Sequence, residues 1–220
     1  RPPCINTNNL MILSASPNRG KSCLVQSLLK RKRQYRGAFD HVYLVCPPAS
    51  RNAFKSDAFS DHSEDKIFDS LDDDTLDVLE AELEKNNAES ESADDPVHTL
   101  WVIDDCQHAL KEHEKRLLKI FSSYRHRNLS VWLLVQSYMC VPKKVRDLSR
   151  SVIQFKMASG KEKETFAEEV LPYFTHTQMR QLLKYIFKDR HDFTWVDREL
   201  NTLTRNMDFL NVEESDDDGD

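Results

Sequence analysis

One segment near the start of the chain restricts the fold more than any other. There, an apolar run, a glycine-lysine-serine loop and a helical pattern follow one another. Residues 10–16 (LMILSAS) predict a short buried strand, and Pro17 and Gly20 mark the loop after it. Apolar residues then recur at helical spacing, at Leu24, Val25, Leu28 and Leu29. A strand, a loop and a helix in this order predict the opening unit of an α/β fold.

The loop matches the phosphate-binding pattern GxxxxGK[ST] except at its first glycine, where this chain has Ala15. Such a turn aims backbone N–H groups and a helix N-terminus at an anion, and Gly20 allows the backbone to approach closely. Lys21 can reach the β- and γ-phosphates of ATP, and Ser22 can ligate Mg²⁺. An ordinary loop that opens a helix is the alternative. The residues predicted to bind ATP are Ala15, Pro17, Asn18, Arg19, Gly20, Lys21, Ser22 and Cys23.

Two adjacent carboxylates follow another apolar run, residues 99–103 (TLWVI). Burying an unpaired carboxylate is costly, so Asp104 and Asp105 at a strand end favour a cation or water beside them. We expect Asp104 to hold Mg²⁺ through water, because Mg²⁺ loses its water shell reluctantly. We expect Asp105 to orient or deprotonate an attacking water. Taken alone, the pair also fits a solvated turn, but together with Lys21 it predicts ATP hydrolysis.

A further strand at residues 130–136 (SVWLLVQ) ends in Gln136. If this strand lies between the first strand and the strand before Asp104, Gln136 points at the γ-phosphate. An amide there can position water or respond to phosphate loss. The alternative is a glutamine that binds the backbone of its own turn.

The remaining periodic segments complete an alternation of strands and helices. Residues 41–46, 151–157 and 193–196 predict strands, and residues 75–85, 107–124, 161–170 and 175–188 predict helices. This alternation predicts an α/β fold with a mainly parallel, doubly wound sheet flanked by helices, and the loop at Lys21 makes a P-loop NTPase the expected class. Ligands of such sheets bind at the carboxyl ends of the strands.

Length and composition fit one domain. The chain has 220 residues, enough for one α/β core. We predict a single P-loop ATPase domain over residues 1–212, with an acidic insertion at about 57–95, of which 86–95 form a loop, and a disordered acidic tail at 213–220. No run of about 18 apolar residues occurs, so we expect no membrane span. No charged-then-apolar signal segment occurs at the start of the sequence. Because position 1 is Arg and not Met, we expect a fragment or a processed or trimmed chain.

The net charge of −6 hides an asymmetry. Acidic residues concentrate in the insertion and the tail, whereas basic clusters occur at residues 30–36, 125–127 and 143–150. The acidic balance therefore does not exclude a nucleic-acid partner. The basic turn after the strand that ends in Gln136 is a candidate DNA contact, made by Lys143, Lys144 and Arg146. A solvated basic surface is the alternative.

Three segments carry a resemblance to a known family. The loop PNRGKS, the strand LWVIDDC and especially residues 125–156 (RHRNLSVWLLVQSYMCVPKKVRDLSRSVIQFK) resemble the poxvirus-type DNA-packaging ATPases of the FtsK–HerA superfamily. These proteins occur in large double-stranded DNA viruses and related virus-like transposons. The resemblance covers most of residues 10–170. Ala15 and the long acidic insertion depart from the family pattern.

The resemblance implies that the P-loop NTPase sheet is RecA-like. It also implies an ATP-driven motor that moves double-stranded DNA into a capsid as a ring of identical subunits, a pentamer or hexamer. ATP and Mg²⁺ are the implied ligands, and capsid proteins are candidate partners. The host cytoplasm, a virus factory or the virion is the implied location. The resemblance assigns the phosphate loop to Gly20, Lys21 and Ser22, the metal and catalytic acids to Asp104 and Asp105, and the sensor to Gln136. It also implies an arginine donated by the neighbouring subunit, for which the candidates are Arg125, Arg127 and Arg146.

Two other functions fit parts of the sequence. A P-loop kinase for a small substrate would share the loop, but the paired acids favour water as the attacking group. A module that binds nucleotide without hydrolysing it would not need Lys21, Ser22, Asp104 and Asp105 together.

Overall fold

The computed structural model describes residues 7–51, 59, 62–92 and 96–211. The predicted tail at 213–220 and parts of the acidic insertion lie outside these residues. The strands of the described part are β1 (Leu10–Ser14), β2 (His41–Val45), β3 (Ile67–Phe68), β4 (Thr99–Asp104), β5 (Leu129–Val135), β6 (Ser151–Phe155), β7 (Phe193–Asp197), β8 (Thr202–Arg205) and β9 (Asp208–Phe209). The helices are α1 (Lys21–Lys30), α2 (Pro48–Arg51), α3 (Asp73–Ser92), α4 (Gln107–Glu112), α5 (Glu114–Phe121), α6 (Lys143–Leu148), α7 (Gly160–Val170) and α8 (His176–Ile186).

The described strands form one sheet in the order β3-β2-β4-β5-β1-β6-β7-β8-β9. Neighbouring strands from β3 to β6 are parallel, and β7, β8 and β9 continue the sheet antiparallel. Strand β5 lies between β1 and β4: Leu10 pairs with Val131, and Thr99 pairs with Leu129. The predicted α/β class and the mainly parallel sheet are therefore confirmed. The position of β5 meets the condition under which Gln136 was expected to point at the γ-phosphate.

Both faces of the central strands are apolar because both are covered. Successive side chains of a strand alternate between faces, so Val131 and Leu133 belong to one core, and Trp132 and Leu134 belong to the other. Helix α1 and the loop after it cover the second core, where the Tyr35 ring meets Trp132 at a centroid distance of 5.2 Å. Helices α3, α4, α5, α7 and α8 pack on the first core.

Helix α3 corrects the prediction for the acidic segment. It runs from Asp73 to Ser92, so residues 86–92 are helical and not a loop. Leu76, Leu79 and Leu83 are fully buried against the sheet. Asn86 is also buried, and its Nδ2 donates to Thr99 Oγ1 at 3.1 Å. The acidic composition of residues 86–95 predicted a solvated loop. The leucine spacing and the Asn86 amide instead keep helix α3 packed on the sheet at β4.

Three smaller expectations also change. The predicted helix at 107–124 is two helices, α4 and α5, which meet at His113. The predicted basic turn after Gln136 is helix α6. Strands β3, β8 and β9 were not predicted, because segments of two to four residues are too short to show a periodic pattern. None of the helices in the described ranges has the length and apolar character needed to cross a membrane.

Candidate functional site

A cleft of about 410 Å³ opens at the carboxyl edge of the sheet, where β1, β4 and β5 end. Neighbouring parallel strands end at one edge, so the residues that follow them converge. The structure brings most of the predicted site together in this cleft. Its lining consists of residues 15–23, Ala49, Ser50, Asp104, Asp105 and Gln136.

The loop after β1 is shaped to present backbone N–H groups. Gly20 is the N-cap of α1 and has φ 98°, a left-handed conformation that residues with a side chain rarely adopt. Asn18 is also left-handed, at φ 60°, which asparagine tolerates better than most residues. No side chain among the described residues caps α1. The N–H groups of its first turn therefore remain available to an anion.

Lys21 and Asp104 form an ion pair across the cleft. Lys21 Nζ lies 2.8 Å from Asp104 Oδ1, and the Asp104 side chain is only 3% exposed. Burial raises the pKa of Asp104, and the charge and hydrogen bond of Lys21 oppose this shift. A carboxylate so buried is stable only beside a cation, so the site is built around paired charges.

Two thiols pack around Asp104. The Cys46 Sγ donates to Asp104 Oδ2 at 3.8 Å, and the Cys106 Sγ donates to the Asp104 carbonyl at 3.3 Å. Burial and the nearby aspartate raise the pKa of Cys46 to about 12. Burial together with Asp104 and Asp105 raises the pKa of Cys106 to about 12. Both thiols therefore stay protonated at neutral pH and act as weak donors.

The Asp105 carboxylate is held from three sides. Asp105 has φ 59°, so β4 stops there and the side chain turns into the cleft. It accepts hydrogen bonds from Gln136 Nε2 at 2.9 Å, from Gln107 Nε2 at 3.2 Å and from Ser50 Oγ at 3.1 Å. Partial burial would raise the pKa of Asp105, but these hydrogen bonds and the charge of Lys21 together lower it. The group is therefore ionised and fixed in orientation at neutral pH.

Gln136 touches Asp105 instead of binding its own turn, which favours the sensor interpretation over the structural alternative. The loop that carries Gln136 is anchored by the buried Glu162 at the start of α7. Glu162 Oε1 accepts from Ser137 Oγ at 2.7 Å and from the Tyr138 N–H at 2.9 Å. The loop that carries Gln136 is therefore joined to α7.

Sequence reasoning missed Ser50 and Gln107 as partners of Asp105. Ser50 follows the carboxyl end of β2 by five residues, in α2. Gln107 begins α4, two residues after Asp105. The rule that polar residues after parallel strands converge could have identified both.

The candidate arginines Arg125 and Arg127 precede β5, so they lie at the amino edge of the sheet. Strand β5 has seven residues and separates them from the cleft by about 20 Å. Arg125 is more than half exposed and lies 3.4 Å from Glu199. Arg127 is less exposed and lies 4.0 Å from Glu84. Neither arginine can therefore reach the nucleotide site of its own subunit. This position is compatible with a residue that is donated to a neighbouring subunit.

The expectation for Arg146 needs correction. Its guanidinium makes a bidentate pair with Glu169, at 2.7 Å for both Nε and Nη2, and its Nη1 donates to the Val141 carbonyl at 2.6 Å. It also lies over the Tyr138 ring, and its side chain is 10% exposed. A finger or a DNA contact must be exposed, and breaking such a buried pair costs about 3–5 kcal/mol. Arg146 therefore joins α6 to α7 and is removed from both candidate sets, while Lys143 and Lys144 remain exposed on α6.

The sheet order, the phosphate loop, the Lys21–Asp104 pair and the carboxylate held by Gln136 define a P-loop ATPase. The chain belongs to the Poxvirus A32 protein family, whose sequence profile matches residues 5–188. Comparison with curated proteins gave no match.

Solved structures share the fold at low sequence identity. The genome packaging NTPase B204 from Sulfolobus turreted icosahedral virus 2, in complex with ATP-gammaS, has a TM-score of 0.63 and 15% identity, and the match covers 94% of this chain and 100% of that chain. B204, the DNA-packaging ATPase from Sulfolobus turreted icosahedral virus, has a TM-score of 0.61 and 13% identity over 94% and 100% of the two chains. ATPases 2 and 3 of Thermomonospora curvata EccC, in complex with a signal sequence peptide, have a TM-score of 0.58 and 11% identity over 93% and 37%.

Proposed function

We propose that this chain is the ATP-hydrolysing subunit of a ring-shaped motor that moves double-stranded DNA into a viral capsid. The observation that carries the proposal is the cleft in which Lys21, Asp104, Asp105 and Gln136 converge, in a chain of the Poxvirus A32 protein family. The likeness to viral genome-packaging NTPases supports the motor role.

The phosphate loop would bind the triphosphate of ATP. The N–H groups around Gly20 and the first turn of α1 supply hydrogen bonds, and Lys21 supplies a positive charge. In the Lys21–Asp104 pair each charge compensates the other at 2.8 Å. Binding of the nucleotide gives Lys21 a second anionic partner, so the affinity reflects the difference between these two interactions.

The donor set of the cleft fits Mg²⁺. Mg²⁺ prefers oxygen ligands and retains several water molecules, and the Ser22 hydroxyl and the Asp104 carboxylate line the same cleft. We propose that these two residues hold the ion. When bound, the ion would supply positive charge that neutralises the charge developing on the phosphates.

Asp105 would act on the attacking water. A carboxylate whose pKa is lowered is ionised but is a weak proton acceptor, so its main contribution is to orient the water. Gln136 fixes this carboxylate through the 2.9 Å hydrogen bond and can contact both the water and the γ-phosphate. Loss of the phosphate would then move Gln136 and, through Ser137 and Glu162, helix α7.

The proposed motor also requires a DNA contact and a ring of subunits. A motor that moves any sequence must grip the phosphate backbone, and exposed Lys143 and Lys144 on α6 follow the Gln136 loop closely. Arg125 or Arg127 would reach the nucleotide of the neighbouring subunit in a ring of five or six copies. The acidic outer side of α3 would repel DNA, so we propose that it faces outward, where a capsid protein with a basic surface can bind.

A small-substrate kinase is the alternative with the same loop. Such an enzyme must keep water away from the γ-phosphate, whereas here Asp105, Gln136 and Ser50 form a polar group that suits water. The cleft therefore favours hydrolysis.

The test measures ATP turnover of the purified protein with and without double-stranded DNA, together with oligomer mass. Turnover that rises with DNA in an assembly of several subunits supports the motor. Turnover that requires a small phosphoryl acceptor and ignores DNA would overturn it in favour of the kinase.

A further inference from the structure

The loop between α8 and β7, residues 189–192, lies against the back of the phosphate loop. We call these four residues the brace loop. His191 Nδ1 lies 3.0 Å from the Arg19 carbonyl oxygen, and Arg190 Nη2 lies 3.4 Å from the Asn18 carbonyl oxygen. In return, Arg19 Nη1 donates to the Arg190 carbonyl at 3.2 Å. Three hydrogen bonds thus join two loops that are about 170 residues apart in sequence.

The brace loop is itself fixed to the antiparallel end of the sheet. Asp192 is buried, and its carboxylate accepts from the Asp189 N–H at 2.8 Å, from Asn206 Nδ2 at 3.1 Å and from Arg205 Nη2 at 3.1 Å. Arg190 and His191 therefore project from a held turn. The part of the chain that matches the Poxvirus A32 family ends at residue 188, directly before this loop.

The direction of these hydrogen bonds determines where the neighbouring N–H groups point. A carbonyl only accepts, so Nδ1 of His191 carries the hydrogen in this contact. The C=O and N–H of a trans peptide point in opposite directions. When the carbonyls of Asn18 and Arg19 face the brace loop, the N–H groups of Arg19 and Gly20 face away from it. Residues 18–20 line the cleft, and the brace loop lies on their other side. The N–H groups of Arg19 and Gly20, which face away from the brace loop, therefore point into the cleft.

His191 also packs against the one residue of the loop that has no side chain. A Cβ placed on Gly20 would lie 3.6 Å from His191 Nδ1, which is ordinary contact distance. The histidine therefore covers the outer side of the Gly20 backbone while the inner side faces the cleft.

We propose that Arg190 and His191 are positioning residues for nucleotide binding. They hold the Asn18 and Arg19 carbonyls outward, so that the following N–H groups are directed at the phosphates of a nucleoside triphosphate. The inference rests on the proposed ATP site but does not depend on DNA translocation. It also gives a role to the antiparallel strands β7, β8 and β9, which support the brace loop.

The experiment compares H191A, R190A and the double variant with the parent protein. Calorimetry gives the Kd for Mg-ATP, and steady-state turnover without DNA gives KM and kcat. The double variant should raise Kd and KM about tenfold, the effect of losing about one well-made hydrogen bond, while kcat changes little. H191N should restore most of the affinity, because its amide nitrogen can take the place of Nδ1. H176A, which removes an exposed histidine at the start of α8, is the matched control and should bind like the parent.

Thermal unfolding of every variant separates positioning from general stability. An unchanged Kd in the double variant overturns the inference, and so does an H191N variant that binds no better than H191A. A parent protein that binds no Mg-ATP overturns the proposed function itself, so the two failures are distinguishable.

Discussion

The two edges of the parallel sheet carry charge in opposite ways. At the carboxyl edge, Asp104 is buried, Lys21 and Asp105 are partly buried, and each has partners within the cleft. At the amino edge, the loop after α1 exposes the cations Arg31, Lys32, Arg33 and Arg36. None of them forms an ion pair with another described residue. The carboxyl edge thus gathers its charges into one cleft, whereas the loop after α1 at the amino edge exposes unpaired charge.

This difference predicts how each edge responds to change. Buried pairs are screened weakly by salt and depend on single atoms, so one substitution at the carboxyl edge should have a large effect. Exposed cations without a partner act together and are screened strongly, so substitutions in the loop after α1 or on α6 should have small, additive and salt-dependent effects.

The largest effect is expected for Lys21→Ala. The variant removes the charge that the triphosphate needs and leaves Asp104 buried without its cation, so the Kd for Mg-ATP should rise about 100-fold or more. Calorimetry measures this, with circular dichroism to check the fold. Lys32→Ala, which removes an exposed lysine at the amino edge, should bind like the parent. Equal affinities of the Lys21→Ala variant and the parent would contradict the site assignment.

The next effect separates binding from chemistry. Asp105→Asn keeps the size of the side chain but loses the charge that orients water, so kcat should fall by about 10²–10⁴ while ATP binding is retained. Turnover and Kd are measured on the same samples. Asp104→Asn is the comparison variant, and its defect should grow as Mg²⁺ is lowered. If Asp105→Asn turns over at the parental rate while Asp104→Asn is inactive, the roles are exchanged.

A smaller effect, shared between subunits, is expected for Arg125 and Arg127 at the amino edge. Arg125→Ala or Arg127→Ala subunits should lose part of their turnover alone, and mixing them with Lys21→Ala subunits should recover some of it, since intact sites form at shared interfaces. Arg146→Ala is the control, because loss of its buried pair should lower the unfolding temperature and give no recovery. Absence of recovery for both Arg125 and Arg127 would remove them as donated residues.

The smallest effect concerns DNA. Lys143→Ala combined with Lys144→Ala should weaken binding to two unrelated duplexes equally and reduce the salt slope by roughly 2, with basal turnover retained. A matched variant replaces Arg31 and Arg33 at the amino edge. If only the second variant changes the slope, the DNA surface belongs to the amino edge; if neither does, both surfaces are wrong.

The same contrast explains what the sequence could predict. The phosphate loop and the paired acids are local patterns, and parallel-sheet rules place their strand ends at one edge, so the core of the site could be predicted from sequence. The order of the strands, with β5 between β1 and β4, could not, because it depends on pairing between distant segments. The burial of Arg146 was not, because its partner Glu169 lies in another helix and the local sequence is equally basic whether exposed or buried. The brace loop was missed for the same reason, since no local pattern links residue 191 to residue 19. The predicted helix at 75–85 was shorter than α3, because the acidic composition of the following residues is typical of a loop.

The motor claim is tested most directly by ATP-dependent displacement of a third strand from a double-stranded DNA. The parent protein should release the third strand only when ATP is present, at a rate that rises with the ATP concentration. The Asp105→Asn variant should bind the DNA without releasing the strand. Hydrolysis that DNA stimulates without any strand release would contradict translocation and leave a DNA-dependent ATPase that does not move.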